Sequence, residues 1–191
     1  MAVIDAREVL AFWFGEPPAT EARAEWFRKD ETFDALIRER FADTLEAALH
    51  GGLREWDATP SGALARIVVL DQFTRNALRD TPRAFAGDGL ALAAAQALVA
   101  AGADRTLGPW QRQFVYLPFE HAEDLDQQQR ALELFGALGR EHPDTAELLA
   151  WARKHHDIVA RFGRFPHRNA VLGRASTADE TEFLRQPGSR F

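Results

Sequence analysis

The stretch TPSGALARIVVLDQFTRNAL, residues 59–78, decides between a helical fold and one that contains a sheet. Its centre, Ile67 to Leu70, is the best strand candidate in the chain, because β-branched residues favour pleated structure. The flank favours a helix, since Thr59 is a good N-cap and Pro60 is preferred at the first helical position. Apolar residues then recur at helical spacing. We therefore expect residues 59–78 to be helical.

Similar start and stop signals recur outside this stretch. Capping residues or prolines precede apolar residues at helical spacing, and glycines follow several of these runs. Pro118 either kinks the helix that begins at Pro109 or starts a new one. The other expected starts are Asp5, Asp30, Asp88, Pro143 and Thr177. The sequence predicts an all-α protein, a single domain over residues 1–191, with about eight helices in antiparallel pairs.

Composition limits the class of protein. The 191 residues are 46% hydrophobic and include no cysteine, so a sizeable core is expected and thiol chemistry is excluded. The net charge of −6 argues against nucleic-acid binding. The longest uncharged apolar run, Leu90 to Ala103, is shorter than the ~20 residues that span a bilayer, so we expect a buried core helix there. The N-terminal residues show no signal-peptide pattern. We expect a cytoplasmic protein without a membrane segment.

One polar group lies on the apolar face of the helix at 59–78. Asp71 follows Leu64 and Ile67 at helical spacings, and Arg75 is four residues further on, so the two can pair. The pair either closes one end of the core or belongs to a catalytic site.

Two histidines are candidates for acid–base chemistry. His121 stands between Glu120 and Asp124, and His155 follows Trp151 on the core face of a later helix. A histidine beside carboxylates can act as a general base, and it can also be a hydrogen-bonded core residue. If Pro118 starts a helix, Glu120 and His121 lie in its first turn. A core-facing His155 needs a polar partner, and His121 with its carboxylates is a candidate.

The segment Arg161 to Asn169 is strongly basic. It holds Arg161, Arg164, His167 and Arg168 around a glycine and a proline, and residues 158–178 contain four arginines and no acid. Residues 113–129 contain four acids and no Lys or Arg. The two blocks either neutralise each other or form opposite walls of a cleft that holds a carboxylate or phosphate.

Several segments together resemble a bacterial family of unknown function, domain of unknown function 924. The similarity spans nearly the whole chain, with Arg161 to Asn169 as its most specific part. Thr74 stands where the family has proline, and Ala122 where it has serine. The resemblance implies an all-helical, tetratricopeptide-like superhelix and supplies no activity. The matching segments are 9–15, 26–30, 70–76, 116–124, 161–169 and 172–177.

We expect a central polar site for a small acidic ligand, without a metal or another cofactor. Its catalytic candidates are Glu120, His121 and His155, and its anion-binding candidates are Arg75, Arg161, Arg164, His167 and Arg168. The supporting residues are Asp71, Asn76, Asp124 and Asn169. The alternative is an interaction or scaffold module, binding for example a peptide, whose polar cluster is a structural ion-pair network. Whether the protein is an enzyme, and its oligomeric state, stay open.

Overall fold

The described chain is helical throughout. The computed structural model describes residues 3–16 and 21–189, and these residues form α-helices, short 3₁₀ turns and one π-helical segment, with no strand among them. The all-α prediction is confirmed. Met1 and Ala2, in the stretch where no signal peptide is expected, lie outside the described residues. The α-helices are α1 (Ala6–Phe14), α2 (Glu31–Leu49), α3 (Pro60–Ile67), α4 (Thr74–Ala77), α5 (Asp88–Ala100), α6 (Pro109–Glu120), α7 (Leu125–Glu141), α8 (Leu148–Phe162) and α9 (Ala178–Phe183).

Side-chain caps begin four of these helices where the sequence predicts them. The side chains of Asp5, Asp30, Thr59 and Thr177 each accept a hydrogen bond from a backbone N–H in the first turn. Each cap satisfies a donor that has no partner within its helix. At Thr177 the Glu180 carboxylate also accepts from the Thr177 N–H, so the predicted capping box is confirmed.

The stretch that decided the fold is the centre of the molecule. Every residue from 62 to 74 is buried, and α3 passes through a π-helical segment, Val68–Phe73, into α4. The helices α1, α2, α5 and α6 pack around this rod. Burial on all sides explains the β-branched run, because a helix that is apolar all round is stable only inside a core.

The structure decides three points about the helices. Of the two alternatives left open at Pro118, a new helix start is wrong, since α6 continues through Pro118 to Glu120 and Asp124 caps α7. A proline near the end of a helix removes only one late hydrogen bond, which leaves the preceding turns intact. Pro143 opens a short 3₁₀ turn, and α8 begins at Leu148. The alanine-rich α5 buries one face rather than its whole surface.

The last part of the chain packs apart from the main core. Gly163 ends α8 in a left-handed conformation (φ 70°), as its position after the last apolar residue predicts. Beyond it, Phe165 and Phe183 join the end of α8 in a small second apolar cluster. The tetratricopeptide-like arrangement stays a prediction. Among the described residues, no helix is both long and apolar enough to cross a membrane.

Candidate functional site

A π-helical segment places a carboxylate inside the core. Asp71 lies in Val68–Phe73 and is fully buried. The Thr74 hydroxyl donates to the carbonyls of Leu70 (2.8 Å) and Asp71 (3.2 Å), and Arg75 Nη1 donates to the Asp71 carbonyl (2.7 Å). These side chains satisfy carbonyls in the segment where the regular helical pattern changes. Single π turns within α-helices are frequent at functional sites, so this segment marks the region.

Asp71 is held as a carboxylate by three neighbours. Its Oδ1 lies 2.7 Å from His121 Nδ1 and 3.0 Å from Arg75 Nη1, and its Oδ2 accepts from Gln72 Nε2 at 2.5 Å. Burial alone would raise the pKa of Asp71, but the charge of Arg75 and the hydrogen bonds from His121 and Gln72 outweigh it and keep the pKa well below its ordinary value. The predicted Asp71–Arg75 pair is confirmed.

His121 is held in one orientation at the end of α6. Because an ionised Asp71 can only accept, the neutral ring carries its proton on Nδ1 and leaves a lone pair on Nε2. Burial lowers the pKa of His121 below its ordinary value and Arg75 adds to this effect, although Asp71 opposes it. His121 is therefore a neutral base near pH 7. It lies at the C-terminal end of a helix, not in the first turn that a start at Pro118 would imply.

A second histidine–carboxylate pair lies beside the first. His155 Nδ1 is 2.9 Å from Glu120 Oε1 and 3.0 Å from the Trp151 carbonyl, which confirms that the carboxylates around His121 supply its partner. The His121 and His155 rings are 6.1 Å apart between centroids. Each ring is oriented through its Nδ1 by a buried carboxylate, the arrangement that fixes tautomers in acid–base sites. Among the described residues, no three His, Asp or Glu side chains are grouped to hold a metal ion.

The two histidines line a cleft with two lobes. We call the first lobe, of about 340 Å³, the polar lobe, because basic residues line it. The second lobe, of about 490 Å³, is the apolar lobe, because aromatic and aliphatic residues form much of its wall. Both volumes are typical of small-molecule sites. The lobes meet at five shared residues, which are Phe27, Gln72, Arg75, His121 and His155.

Cations line the polar lobe while most of their carboxylate partners lie behind them. The basic residues in its wall are Arg28, Lys29, Arg75, Arg79 and Arg168, and the acid among the described lining residues is Asp80. Asp34, Asp71 and Asp88, which pair with Arg79, Arg75 and Arg168, are not in the wall. The wall therefore presents positive groups to the cavity.

Arg168 is the most constrained of these cations. Its guanidinium lies 4.6 Å from the ring centroids of both Phe85 and Phe165, and it donates to Asp88 Oδ2 (3.1 Å) and the His121 carbonyl (3.0 Å). Burial and the charge of Arg75 lower the pKa of Arg168 to about 10, so it stays a cation at neutral pH. Its buried Nε–H has no acceptor among the described residues.

His167 also lines the polar lobe and is neutral there. Burial, followed by the charge of Arg168, lowers its pKa to about 3. His167 therefore contributes a neutral imidazole to the wall at physiological pH, and the positive charge comes from the arginines and Lys29.

Other predicted site residues lie outside the two lobes. Arg164 makes a two-point ion pair with Glu180 (2.6 and 2.8 Å), and Arg161 lies over the Phe162 ring at 4.6 Å. Asp124 caps α7 through Gln127 N.

Two amides serve the surrounding structure. Asn169 is buried and bonds to Ser176, Arg174 and Glu180. Asn76 reaches the polar lobe but donates to Asp34. The structure therefore brings together Arg75, Glu120, His121, His155, His167 and Arg168 around the cleft, with Asp71 behind them.

Sequence reasoning missed several residues of the cleft. Arg28, Lys29 and Gln72 line the polar lobe, together with Arg79 and Phe85. Arg28, Lys29 and Gln72 fall within segments that carry the family resemblance, and this resemblance could have marked them as candidate site residues. Arg79 and Phe85 lie in a loop region without a pattern that would single them out.

The fold and the cleft define an all-helical protein in which two oriented histidines line an open cleft. The family profile of bacterial proteins of unknown function, DUF924, matches residues 9–188, and the chain belongs to this family. A solved structure, the protein of unknown function ATU0120 from Agrobacterium tumefaciens, is 40% identical with a TM-score of 0.83. The alignment covers 94% of this chain and 96% of that one. A comparison with curated proteins gave no match.

Proposed function

We propose that the cleft binds a small molecule with an anionic group, and that His121 acts on this molecule as a general base. The observation that carries the proposal is the partly buried Asp71–His121 pair at the junction of the two lobes. Such a pair is costly unless it is well satisfied, and here it borders a cavity instead of closed packing. A perturbed pair of this kind in a cleft is typical of a functional site.

The wall of the polar lobe supports an anionic ligand. Arg75 and Arg168 share the Asp88 carboxylate, so two guanidiniums are close to each other. A bound carboxylate or phosphate would relieve their repulsion and accept hydrogen bonds in the geometry that guanidinium groups favour. Lys29 and Arg28 are exposed at the same lobe and can attract the ligand from solvent.

The orientation of His121 supports base catalysis. Nε2 can take a proton from the bound molecule or from a water beside it, and the ring becomes an imidazolium. The charge of Asp71 stabilises that imidazolium, as the carboxylate of a catalytic triad does. His155, held by Glu120, is close enough to act on the same molecule.

The alternative is an interaction module whose ion pairs are purely structural. That alternative accounts well for Arg164–Glu180, which lies away from the lobes. It does not account for two carboxylate-oriented histidines that border an open cleft, and we therefore place the small-molecule site first.

Chemical modification tests the proposal without knowledge of the natural ligand. Diethyl pyrocarbonate acylates neutral, reachable imidazoles, and peptide mapping gives a rate for each histidine. We expect His121 to react at pH 7, and sulfate, as a compact anion, to slow its acylation. Exposed His50 is the internal reference, because it lies at the end of α2 and should not be protected by sulfate.

Variants connect the sulfate effect to the polar lobe. Replacement of Arg28 and Lys29 by alanine should weaken the protection, whereas Arg130→Ala, at an exposed ion pair on α7, should leave it unchanged. Equal sulfate effects on His121 and His50 would contradict the anion site. A His121 that stays unreactive while His50 is acylated would contradict its role as an accessible base.

A further inference from the structure

The apolar lobe offers a second part of the same site. Its wall is built from three consecutive helices, with Trp110 and Leu117 from α6, Phe135 from α7, and Leu148 from α8. These residues belong to the main core, so the wall is rigid and its shape is fixed by packing. The volume of about 490 Å³ exceeds the roughly 150 Å³ of an apolar cavity that binds benzene.

The mouth of this lobe exposes two aromatic rings to solvent. Phe27 is 60% exposed and Trp151 is 49% exposed, and both line the lobe. They are among the few large apolar side chains that the described residues leave exposed. Such rings around a cavity mark a surface that gains free energy when an apolar group covers it.

The junction between the lobes sets the order of groups along a ligand. Arg75 and His121 border both cavities, so a molecule anchored on the arginines can place its next atoms beside His121. Atoms further along then enter the apolar lobe. The polar end and the apolar end of such a ligand would therefore lie on opposite sides of the two histidines.

We propose that the ligand is amphipathic: its anionic end lies in the polar lobe, and an alkyl or aryl body fills the apolar lobe. This inference rests on the proposed function, because the anionic end is the one that function requires. The apolar body supplies binding energy and selectivity, and it holds the intervening atoms beside His121.

A homologous series of carboxylates tests the inference. Acetate, butyrate and hexanoate are titrated against the full-length protein, with tryptophan fluorescence as the readout because Trp110 and Trp151 line the lobe. Each added methylene should tighten binding by about four-fold until the lobe is filled. Hexanamide, which lacks the charge, should bind more weakly than hexanoate. Phenylacetate compared with hexanoate distinguishes an aryl from an alkyl body.

A blocking variant separates the two lobes. Ala22 is exposed and lines the apolar lobe, so Ala22→Phe should obstruct the lobe without disturbing the core. We expect it to abolish the chain-length dependence while sulfate still protects His121 from acylation. Ala24→Phe, at an exposed position nearby that is not in the wall, is the matched control and should behave like the wild type.

The outcomes distinguish the inference from the function on which it rests. Equal affinities for acetate and hexanoate, with sulfate protection intact, would overturn the amphipathic ligand and leave the anion site standing. Failure of hexanoate to bind would also overturn it. Equal binding of hexanoate and hexanamide, without sulfate protection, would contradict the anion site itself.

Discussion

At the scale of single residues, the proton position on His121 follows from Asp71. The Asp71 carboxylate accepts from Nδ1, which favours the Nδ1–H tautomer and opposes the lowering of the His121 pKa by burial. Asp71→Asn removes this charge while Arg75 remains. We expect the pKa of His121 to fall further, because the group that favours the imidazolium is gone.

Nitrogen-15 NMR of the histidine rings measures both properties. The wild-type His121 should show the Nδ1–H pattern near pH 7 and titrate below 6.5, the ordinary value for histidine. His50, hydrogen-bonded to its own helix at the Glu46 carbonyl, provides a reference signal that the substitution should not change. A His121 pKa that rises in Asp71→Asn would contradict the assigned orientation.

Two partly buried histidines make the protein sensitive to mild acid. The pKa of His167 is lowered to about 3 and that of His121 is also lowered, so the unfolded chain binds more protons than the folded one below about pH 6.5. The free energy of unfolding should therefore fall as the pH decreases. Each histidine contributes up to about 1.4 kcal/mol per pH unit in this range.

Urea unfolding at pH 7, 6 and 5 checks this sign. Carboxylates with lowered pKa values contribute mainly below about pH 5, where they become protonated in the unfolded chain, so the histidine effect can be measured above that range. His167→Gln should reduce the loss of stability between pH 6 and 5 relative to the wild type. An identical slope in both proteins would show that the His167 ring does not resist protonation in the folded protein.

The sequence predicted only some of the contacts in the site. Asp71–Arg75 could be predicted, since residues four apart on a helix are neighbours. Asp71–His121 could not, because the two residues are 50 positions apart and their contact depends on how α6 packs against the π-helical segment. The pairing of Arg164 with Glu180 could not be predicted either, because Glu180 lies outside the acidic block of residues 113–129, where a partner was expected.

At the scale of elements, α5 begins against the backbone of the π-helical segment. A Cβ added to Gly87 would lie 2.1 Å from the Leu70 carbonyl oxygen, whereas one added to Gly89 would meet nothing within 4 Å. Gly87→Ala should therefore displace the start of α5, which carries Asp88, the partner of Arg75 and Arg168. We expect a loss of about 2 kcal/mol of stability.

Gly89→Ala is the matched control, two residues further along the same helix. Removal of a glycine from an open helical position should leave stability unchanged or raise it by up to about 1 kcal/mol. Chemical denaturation of both variants gives the comparison. Equal stabilities would mean that the approach of Gly87 to Leu70 does not constrain the packing of α5.

Element boundaries were predictable where a local cap defines them. Asp30 and Thr59 each accept a hydrogen bond from a backbone N–H in the first turn of their helix, so the residues that form these caps are adjacent in the sequence. The start of α7 stayed undecided at Pro118, because a proline can begin a helix and is also tolerated in the last turn of one. The N-cap that begins α7 is Asp124, which accepts a hydrogen bond from the Gln127 N–H within the first turn, as Asp30 and Thr59 do in their helices.

At the scale of the whole molecule, the end of the chain completes the polar lobe. His167 and Arg168 lie in segment 163–189, which is joined to the rest mainly through ion pairs and a small apolar cluster. The helices before it share the large core. The separate packing of this segment was not predictable from composition, because the chain shows no linker or change of composition before it.

This difference in packing predicts two levels of stability. Segments with few buried apolar contacts open at lower free energy than the core. In native-state hydrogen exchange, amides of 163–189 should therefore exchange faster than those of α3 and α6. Glu123 holds the segment most directly, since it accepts from Arg174 (2.6 and 2.9 Å) and from the Phe165 N–H (2.7 Å).

Glu123→Ala should lower the opening free energy of segment 163–189 by about 1–3 kcal/mol, because it leaves a partly buried guanidinium and a backbone donor without their acceptor. Exchange in α3 should change little. Asp126→Ala, at an exposed position in the first turn of α7, is the control and should not affect the segment. Faster exchange in both α3 and 163–189 would mean that the segment opens only with the core. In that case His167 and Arg168 would belong to the same cooperative unit as Asp71 and His121.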